Sequence, residues 1–386
     1  MTFKVEVIYC GSLGFSGQTT AIAKIKEVID HSPMDININQ TEFPAIDRSN
    51  RITAFKSLIK ILVLWVKIFK SVTSTTNIYC FGHGQSFFSL IRLGIPHLII
   101  HYFKKSSYKI TTLHGNEFLN WSNQSLLFRT FKFFLLKSNF IVVTGPTVRR
   151  AIIEMGIPSS AVKVINNPCE VNYIPNKEFA QKWKHTTPLK ILHLSLLIES
   201  KGFPLYLKAL QKFAQDVKVP VEATLCGPLV STKFCTQFKD ERDKEDWIKR
   251  TIKDINKSSP NLKVSWINGA KGAAKEKLFK EAHIFVFPST FPVESQPLVL
   301  IEAMASGCAI ISSKVGEITS FLNPHNAILL DNVNVESIST KLKELTIQPD
   351  KAKLLAQKSL DESTTKFSLD NYRTNWLNVI KQAEVK

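Results

Sequence analysis

Residues 283–318 read HIFVFPSTFPVESQPLVLIEAMASGCAIISSKVGEI. The opening run His283 to Phe287 is apolar almost throughout, as a strand covered on both faces of a parallel sheet must be, and it stops at Pro288 and Ser289. A loop carrying Glu294 follows. Pro297 then opens a helix that ends at Gly307, since proline near the first helical position and glycine just past the last are the usual punctuation. The first-turn amides of such a helix point into the loop with a partial positive charge, which suits a phosphate. Glu302 lies little more than a turn into the helix, eight positions after Glu294. Two carboxylates thus flank an anion-attracting helix start, an arrangement suited to gripping the hydroxyls of a sugar and a ribose whose diphosphate sits between them. Taken alone, a glutamate pair at this spacing describes two solvated helix residues. The surrounding strand, loop, helix and small-residue AMASG run are what give it meaning.

Outward from this stretch, strand-like runs alternate with helical ones. The first half offers KVEVIYC, NIYCFG, KITTLHG, FIVVTG and AVKVINN, and the second KILHLSL, VEATLCG, LKVSWING, HIFVFPS, CAIISS and AILL. This is the pattern of parallel sheets with crossover helices. The polar stretch from Asn176 to Pro188 has no clear apolar period and is expected to be a linker. Two α/β doubly wound domains follow, residues 1–185 and 186–367, with a ligand crevice at the carboxyl ends of the strands. After Ser368, an N-cap residue, Tyr372, Trp376, Val379, Ile380 and Ala383 recur at helical spacing. Residues 368–386 are therefore expected to form an amphipathic helix that crosses back to the N-terminal domain.

A chain of 386 residues is too long for one ordinary core, and 44% hydrophobic residues with no low-complexity tract exclude disorder and collagen. The 50 Lys and Arg against 32 Asp and Glu give +18, which implies a polyanionic neighbour. From Arg51 to Arg150 there are 14 basic residues and one acid, Glu117. On a helix from Ala54 to Lys70, Lys56, Lys60, Lys67 and Lys70 fall within about 80° of one face at about 100° per residue. Ile59, Leu62, Val66 and Phe69 cover the neighbouring surface, with Trp65 opposite the stripe. Two readings stand side by side: a helix lying in an anionic membrane interface, or a packed helix with one solvated lysine face. A second aromatic and basic segment, LLFRTFKFFLLK from Leu126 to Lys137, favours the membrane. No helix-turn-helix, RNA-binding aromatic motif or zinc finger is present, so nucleic acid is not an expected partner.

The six cysteines are scattered without a C-x-x-C pair and read as buried thiols of a reducing cytosol. The start MTFKVEVIYCG alternates like a strand and not like a signal peptide. The most apolar run, Ile61 to Val66, is bounded by Lys60 and Lys67, far short of a membrane span. The expectation is a cytoplasmic protein, peripheral at the inner face of the membrane. No metal site is expected, because there is no D-x-D at a strand end. His97 and His101 likewise lack a nearby carboxylate or cysteine to complete a ligand set.

Glu294, seven intervening residues and Glu302, followed by AMASG, resemble the signature of the family four glycosyltransferases, retaining enzymes of the GT-B fold that use nucleotide sugars. Other positions agree in order. They are the Gly14 and Gly17 loop after the first strand, TLHGNEF around His114 and Asn116, INNP at Asn167, ESKGF with Lys201 and Gly202, CGP at Gly227 and ING at Gly269. The resemblance covers nearly the whole chain and is more specific in the second half, as expected if the first half reads a variable acceptor.

What the resemblance implies is a GT-B fold, two Rossmann-like domains facing a central cleft, with acceptor bound by the first and nucleotide sugar by the second. Glu294 would contact the donor sugar's hydroxyls and Glu302 the ribose. Lys201 would neutralise the diphosphate, helped by amides at Gln296, Leu298 and Val299, while Pro297 has no amide hydrogen to offer. His114 would sit against the sugar. The Gly17 loop would close over the phosphates, with Gly14 and Asn116 on the acceptor side and Ser195 and Gly269 bordering the donor. Glu294, His114 and Lys201 would be the catalytic set. Lys201 and the helix dipole would take the place of a divalent ion, so no metal or other cofactor is expected. Two positions depart from the family. Leu196 stands five residues before Lys201 where many members have Arg, and Ser295 stands where Gly usually follows the first glutamate.

The implied activity is transfer of a sugar from a nucleoside diphosphate to a hydroxyl of a glycan, lipid-linked, in the making of cell-surface polysaccharide such as lipopolysaccharide. The alternatives on the same fold are a sugar-nucleotide epimerase or hydrolase, and a non-catalytic nucleotide-sugar-binding partner of an active transferase.

Overall fold

Uninterrupted apolar strands need cover on both faces. The computed structural model, which describes residues 3–11, 17–30, 34–45, 51–232 and 235–383, supplies it with helices packed on two parallel sheets. The first sheet arises from β1 (Phe3–Cys10), α1 (Gly17–Asp30), β2 (Ile36–Phe43), α2 (Arg51–Lys70), β3 (Ile78–Gly82), α3 (Phe87–Phe103), β4 (Tyr108–Leu113), α4 (Leu126–Leu136), β5 (Phe140–Val143), α5 (Pro146–Glu154) and β6 (Val162–Val164). Its strand order is β2-β1-β3-β4-β5-β6. Central β3 is buried at every position, and it pairs with β1 from Val5 opposite Ile78 to Tyr9 opposite Gly82. One face of this sheet packs Val5, Val7 and Cys80 against Ile25 and Val28 of α1. The other packs Ile8, Tyr79 and Phe81 against Ile61 and Ile68 of α2 and Leu93 and Ile100 of α3.

The second sheet follows with α6 (Asn176–Lys184), β7 (Leu189–Leu194), α7 (Phe203–Phe213), β8 (Val221–Cys226), α8 (Glu241–Ser258), β9 (Leu262–Ile267), α9 (Gly272–Glu281), β10 (Ile284–Phe287), α10 (Leu298–Ala305), β11 (Ala309–Ser312), β12 (Ile328–Leu329), α11 (Val335–Ile347) and α12 (Pro349–Lys366). Its order is β12-β11-β10-β7-β8-β9. From β7 the sheet grows through β8 and β9 in one direction. The chain then returns to lay β10 on the other flank of β7, so the order reverses between these two strands.

Two compact units result. One comprises Met1–Pro168, Val293–Gln296 and Leu369–Lys386, the other Cys169–Pro292 and Pro297–Ser368. The last helix, α13 (Leu369–Gln382), belongs to the first unit, as its aromatic stripe requires. Tyr372, Trp376, Val379 and Ile380 are buried in the same core as Ile25 and Val28, and Arg373 Nε donates to the Val28 carbonyl at 3.0 Å. The stretch expected as a linker is corrected by the structure, since Asn176–Lys184 is helix α6. Phe179 and Trp183, one turn apart, are its buried side. Trp183 Nε1 donates to the Gly307 carbonyl at 3.1 Å, and Lys182 Nζ to that of Ser306 at 2.8 Å. Two aromatic anchors in nine residues are too few to show a period, yet they suffice to fasten a short helix.

Trp376 is 1% exposed, and shortening such a side chain to a methyl costs about 3–5 kcal/mol. Trp376→Ala should therefore lower the urea midpoint of the first unit's unfolding transition. An unchanged midpoint would show that α13 contributes nothing to that core.

Candidate functional site

In an open parallel sheet a ligand crevice lies at the carboxyl ends of the strands where the order reverses. In the second unit these are β7 and β10. After β7 the chain runs through Ser195 to Lys201 and Gly202 before α7 begins. Gly202 has φ +90°, and a Cβ there would lie 2.3 Å from the Pro288 carbonyl oxygen, so only glycine allows the two backbones to meet. Thr290 N donates to the Ser200 carbonyl at 2.7 Å. The ammonium of Lys201 sits 4.5 Å from the ring centre of Phe291 and 5.8 Å from that of Phe287, which holds it beside the end of β10. His193 is fully buried. Its Nδ1 donates to the Val286 carbonyl at 2.9 Å and its Nε2 faces Ser195 Oγ at 2.9 Å. Burial pushes the imidazole down to about 4, so it is neutral and orients the Ser195 hydroxyl. Gly227 closes the next strand end, where a Cβ would lie 1.8 Å from the Ser195 carbonyl oxygen, and Gly227 N and Gly269 N both donate to Ile267 O.

Pro297 precedes α10 as its N-cap, with Leu298 and Val299 in the first turn. Glu302 is 1% exposed. Its Oε1 accepts from Lys275 Nζ, which is also 3.5 Å from Glu170, while its Oε2 is buried and has no partner among the described residues. Burial raises the Glu302 carboxyl to about 7 in spite of the Lys275 charge. Lys275 was not singled out in the sequence. The available signal was physical: a buried carboxylate must find a cation or lose its charge.

The segment Val293–Gln296 groups with the first unit and is clamped there by side chains. Asn116 Nδ2 donates to the Glu294 carbonyl at 2.7 Å. Ser295 Oγ is 2.8 Å from Thr144 Oγ, so the hydroxyl found where the family usually has glycine ties the loop to the end of β5. Asn167 N donates to Gln296 Oε1 at 2.6 Å, Asn167 Nδ2 to Gln296 O at 3.1 Å, and Gln296 Nε2 to Asn166 Oδ1 at 2.9 Å. His114 Nδ1 lies 3.2 Å from Asn167 Oδ1. Burial lowers His114 to about 4, so it is neutral, and its Nε2 is buried without a partner. His114, Asn116, Glu294 and Gln296 are thus brought together around Asn166 and Asn167. Lys201 and Glu302 lie in the second unit, each with its own partners. Gly17 begins α1, whereas Gly14 lies outside the described residues.

His97 pairs with His83, Nδ1 to Nε2 at 3.1 Å, and among the described residues no group of His, Cys, Asp or Glu could hold a metal ion. A hollow of about 810 Å³ on the first unit, edged by Phe118, Trp121, Arg129 and Lys132, includes none of the carboxylates expected to hold the donor.

Residues 175–361 match the family described as glycosyl transferases group 1. The match runs through the second unit, from α6 into α12. Among solved structures, the chain is similar to HepE of Anabaena in complex with UDP (TM-score 0.72, 14% identity, 99% of this chain and 100% of that one). It is also similar to a glycosyltransferase of Rickettsia africae (0.69, 15%, 100% and 99%) and to sucrose-phosphate synthase of Thermosynechococcus elongatus (0.68, 14%, 98% and 98%). At these identities the likeness is one of fold, and the fold is GT-B. No curated protein matches the chain in sequence.

The buried glutamate of α10 has a pH signature. A carboxyl that titrates near 7 instead of 4.5 holds its proton more tightly in the folded chain. Its contribution to stability therefore falls as pH rises from about 4.5 to about 7, and below that window it costs nothing. Glu302→Gln, which does not ionise, should gain on the wild type by on the order of 2 kcal/mol across the window. Thermal midpoints at pH 5 and pH 8 read this, and a gap that does not widen with pH would contradict it.

Proposed function

We propose that the protein is a retaining glycosyltransferase that moves a sugar from a nucleoside diphosphate to a hydroxyl of a lipid-linked glycan, in the building of cell-surface polysaccharide at the cytoplasmic face of a membrane. The observation that carries this is the Glu302 carboxylate. One oxygen is held by Lys275 and the other is buried and unpartnered, in a helix that starts at the sheet's order reversal. An oxygen in that state is stabilised by a ligand hydroxyl, and the ribose supplies one. Uridine is supported as the base, because HepE was solved with UDP and with UDP-glucose, and TarM of S. aureus with UDP.

In this reading Lys201 and the Leu298 and Val299 amides receive the diphosphate, Glu294 holds the sugar's hydroxyls, and Ser195 and Gly269 border the nucleotide. The neutral His114 offers Nε2 as an acceptor to a sugar hydroxyl, and a charged imidazole could not do so. The bond from the anomeric carbon to the phosphate oxygen breaks as the acceptor oxygen bonds to that carbon on the same face. The acceptor's proton passes to the departing phosphate oxygen. Lys201 stabilises the charge that develops there, the part a divalent cation plays elsewhere, so the transfer proceeds without metal. The N-terminal unit, with Asn116 and the Gly14 and Gly17 loop, takes the acceptor.

Glu294→Gln and Lys201→Ala should each cut turnover by at least about tenfold, since both act where charge and geometry change in the transition state. Glu302→Gln should act more on UDP affinity, read as a smaller thermal shift with UDP. Full turnover in the first two variants, with UDP binding intact, would remove the site. A second measurement concerns the metal: transfer to a soluble acceptor should persist in excess EDTA. A requirement for manganese or magnesium would overturn the role given to Lys201.

A further inference from the structure

Helix α2 has the surface of an element made to lie against something. Of its described side chains only Ser57, Ile61 and Ile68 are fully buried. Phe55, Ile59, Leu62, Val63, Val66 and Phe69 are 45–64% exposed. At about 100° per residue these six form one arc of about 120°, and Lys56, Lys60, Lys67 and Lys70, all exposed, occupy the adjoining arc of about 80°. The apolar arc continues onto α3, where Phe103, 64% exposed, meets Phe69 edge to face with ring centres 5.5 Å apart. A scattered exposed leucine needs no explanation, but a contiguous apolar stripe bordered by one sign of charge marks an interaction surface.

The charge selects the occupant. From Arg51 to Lys70 there is no acid, and from there to Arg150 Glu117 is the one acidic residue. A second copy packed face to face would set lysine arc beside lysine arc with nothing to neutralise them. No helix of the described residues is long and apolar enough to cross a membrane. We propose that α2 docks the protein on an anionic lipid bilayer. Its axis lies in the membrane plane, its apolar arc enters the boundary between headgroups and acyl chains, and its lysines lie among acidic headgroups. This deepens the membrane-side reading above by naming the docking element, and it rests on that reading only for its purpose.

Sedimentation with vesicles tests it, using phosphatidylglycerol mixed with phosphatidylcholine and phosphatidylcholine alone, with turnover on a soluble acceptor followed in parallel. The full chain should bind the anionic vesicles more tightly, and less so at high salt. Leu62→Gln with Val66→Gln should lower the partition coefficient about tenfold or more at every salt concentration, because two inserted side chains are lost. Changing the four lysines to Gln should abolish the preference for anionic lipid and the salt dependence. All variants should keep wild-type turnover on the soluble acceptor and a wild-type thermal midpoint. Binding unchanged in the apolar variant, or absent in the wild type, would overturn the proposal. So would sedimentation equilibrium showing a dimer that Leu62→Gln with Val66→Gln dissociates. Vesicle binding without any sugar transfer would instead sink the enzymatic reading and leave the docking surface standing.

Discussion

Everything at the crevice of the second sheet depends on how closely the backbone leaving β7 can approach the end of β10. The contact is Gly202 against the Pro288 carbonyl, and no side chain fits there. Because the backbones meet, Thr290 can donate to Ser200, and the Lys201 side chain emerges beside Phe287 and Phe291 instead of into solvent alone. A loop two residues longer, or a β-carbon at Gly202, would move the cation away from the crevice. The reversal of strand order creates the crevice, and the glycine decides what occupies it.

A second constraint acts through neutral polar groups. Ser295 and Gln296 and the backbone of Glu294 are anchored by Thr144, Asn166, Asn167 and Asn116, so the loop after β10 is fixed by side-chain and backbone hydrogen bonds of the first unit. Hydrogen bonds between buried uncharged groups hold geometry without adding a fixed charge to the loop that carries Glu294. His193 and His114 fit the same pattern. Burial lowers both to about 4, so each presents a lone pair, not a cation, to its surroundings.

Much of this was legible in the sequence because a doubly covered parallel strand is a continuous apolar run. KILHLSL, VEATLCG, LKVSWING and HIFVFPS contain β7 to β10 as expected. β2 was not recognised. Its ININQTEF carries Asn, Gln and Glu because it is an edge strand with Asn37, Asn39 and Glu42 exposed, so its apolar signal is about half that of β3. Helix α6 escaped for the opposite reason, since two aromatics and the Lys182 ammonium do its packing and the other side chains are exposed. Around the two loops, the positions that local punctuation marks in the sequence are Glu294, Pro297, Glu302, Lys201 and Gly202. Their supports Lys275, His193, Asn166 and Thr144 were not, because each is defined by a contact between segments far apart in the chain.

The net charge of +18 changes meaning once the lysines are placed. Lys244 is completely buried and donates to the carbonyls of Leu197 and Val230 at 2.9 and 2.8 Å. Lys104 donates to those of Ser71 and Ser74, and Lys109 to that of Ser107. Such ammonium groups donate to backbone carbonyls outside the strands, and charge-assisted bonds of this kind are among the stronger ones available. They brace the fold and add little to any external field. Counting charges alone therefore overstates the attraction of the surface for a polyanion, which is set by lysines that are solvated and adjacent. The α2 arc meets those conditions: four exposed lysines on one helix without an acid, beside an apolar face that the described structure leaves open. Charge that is concentrated and set next to exposed hydrocarbon discriminates between a lipid surface and a free anion, because only the lipid surface can satisfy both at once.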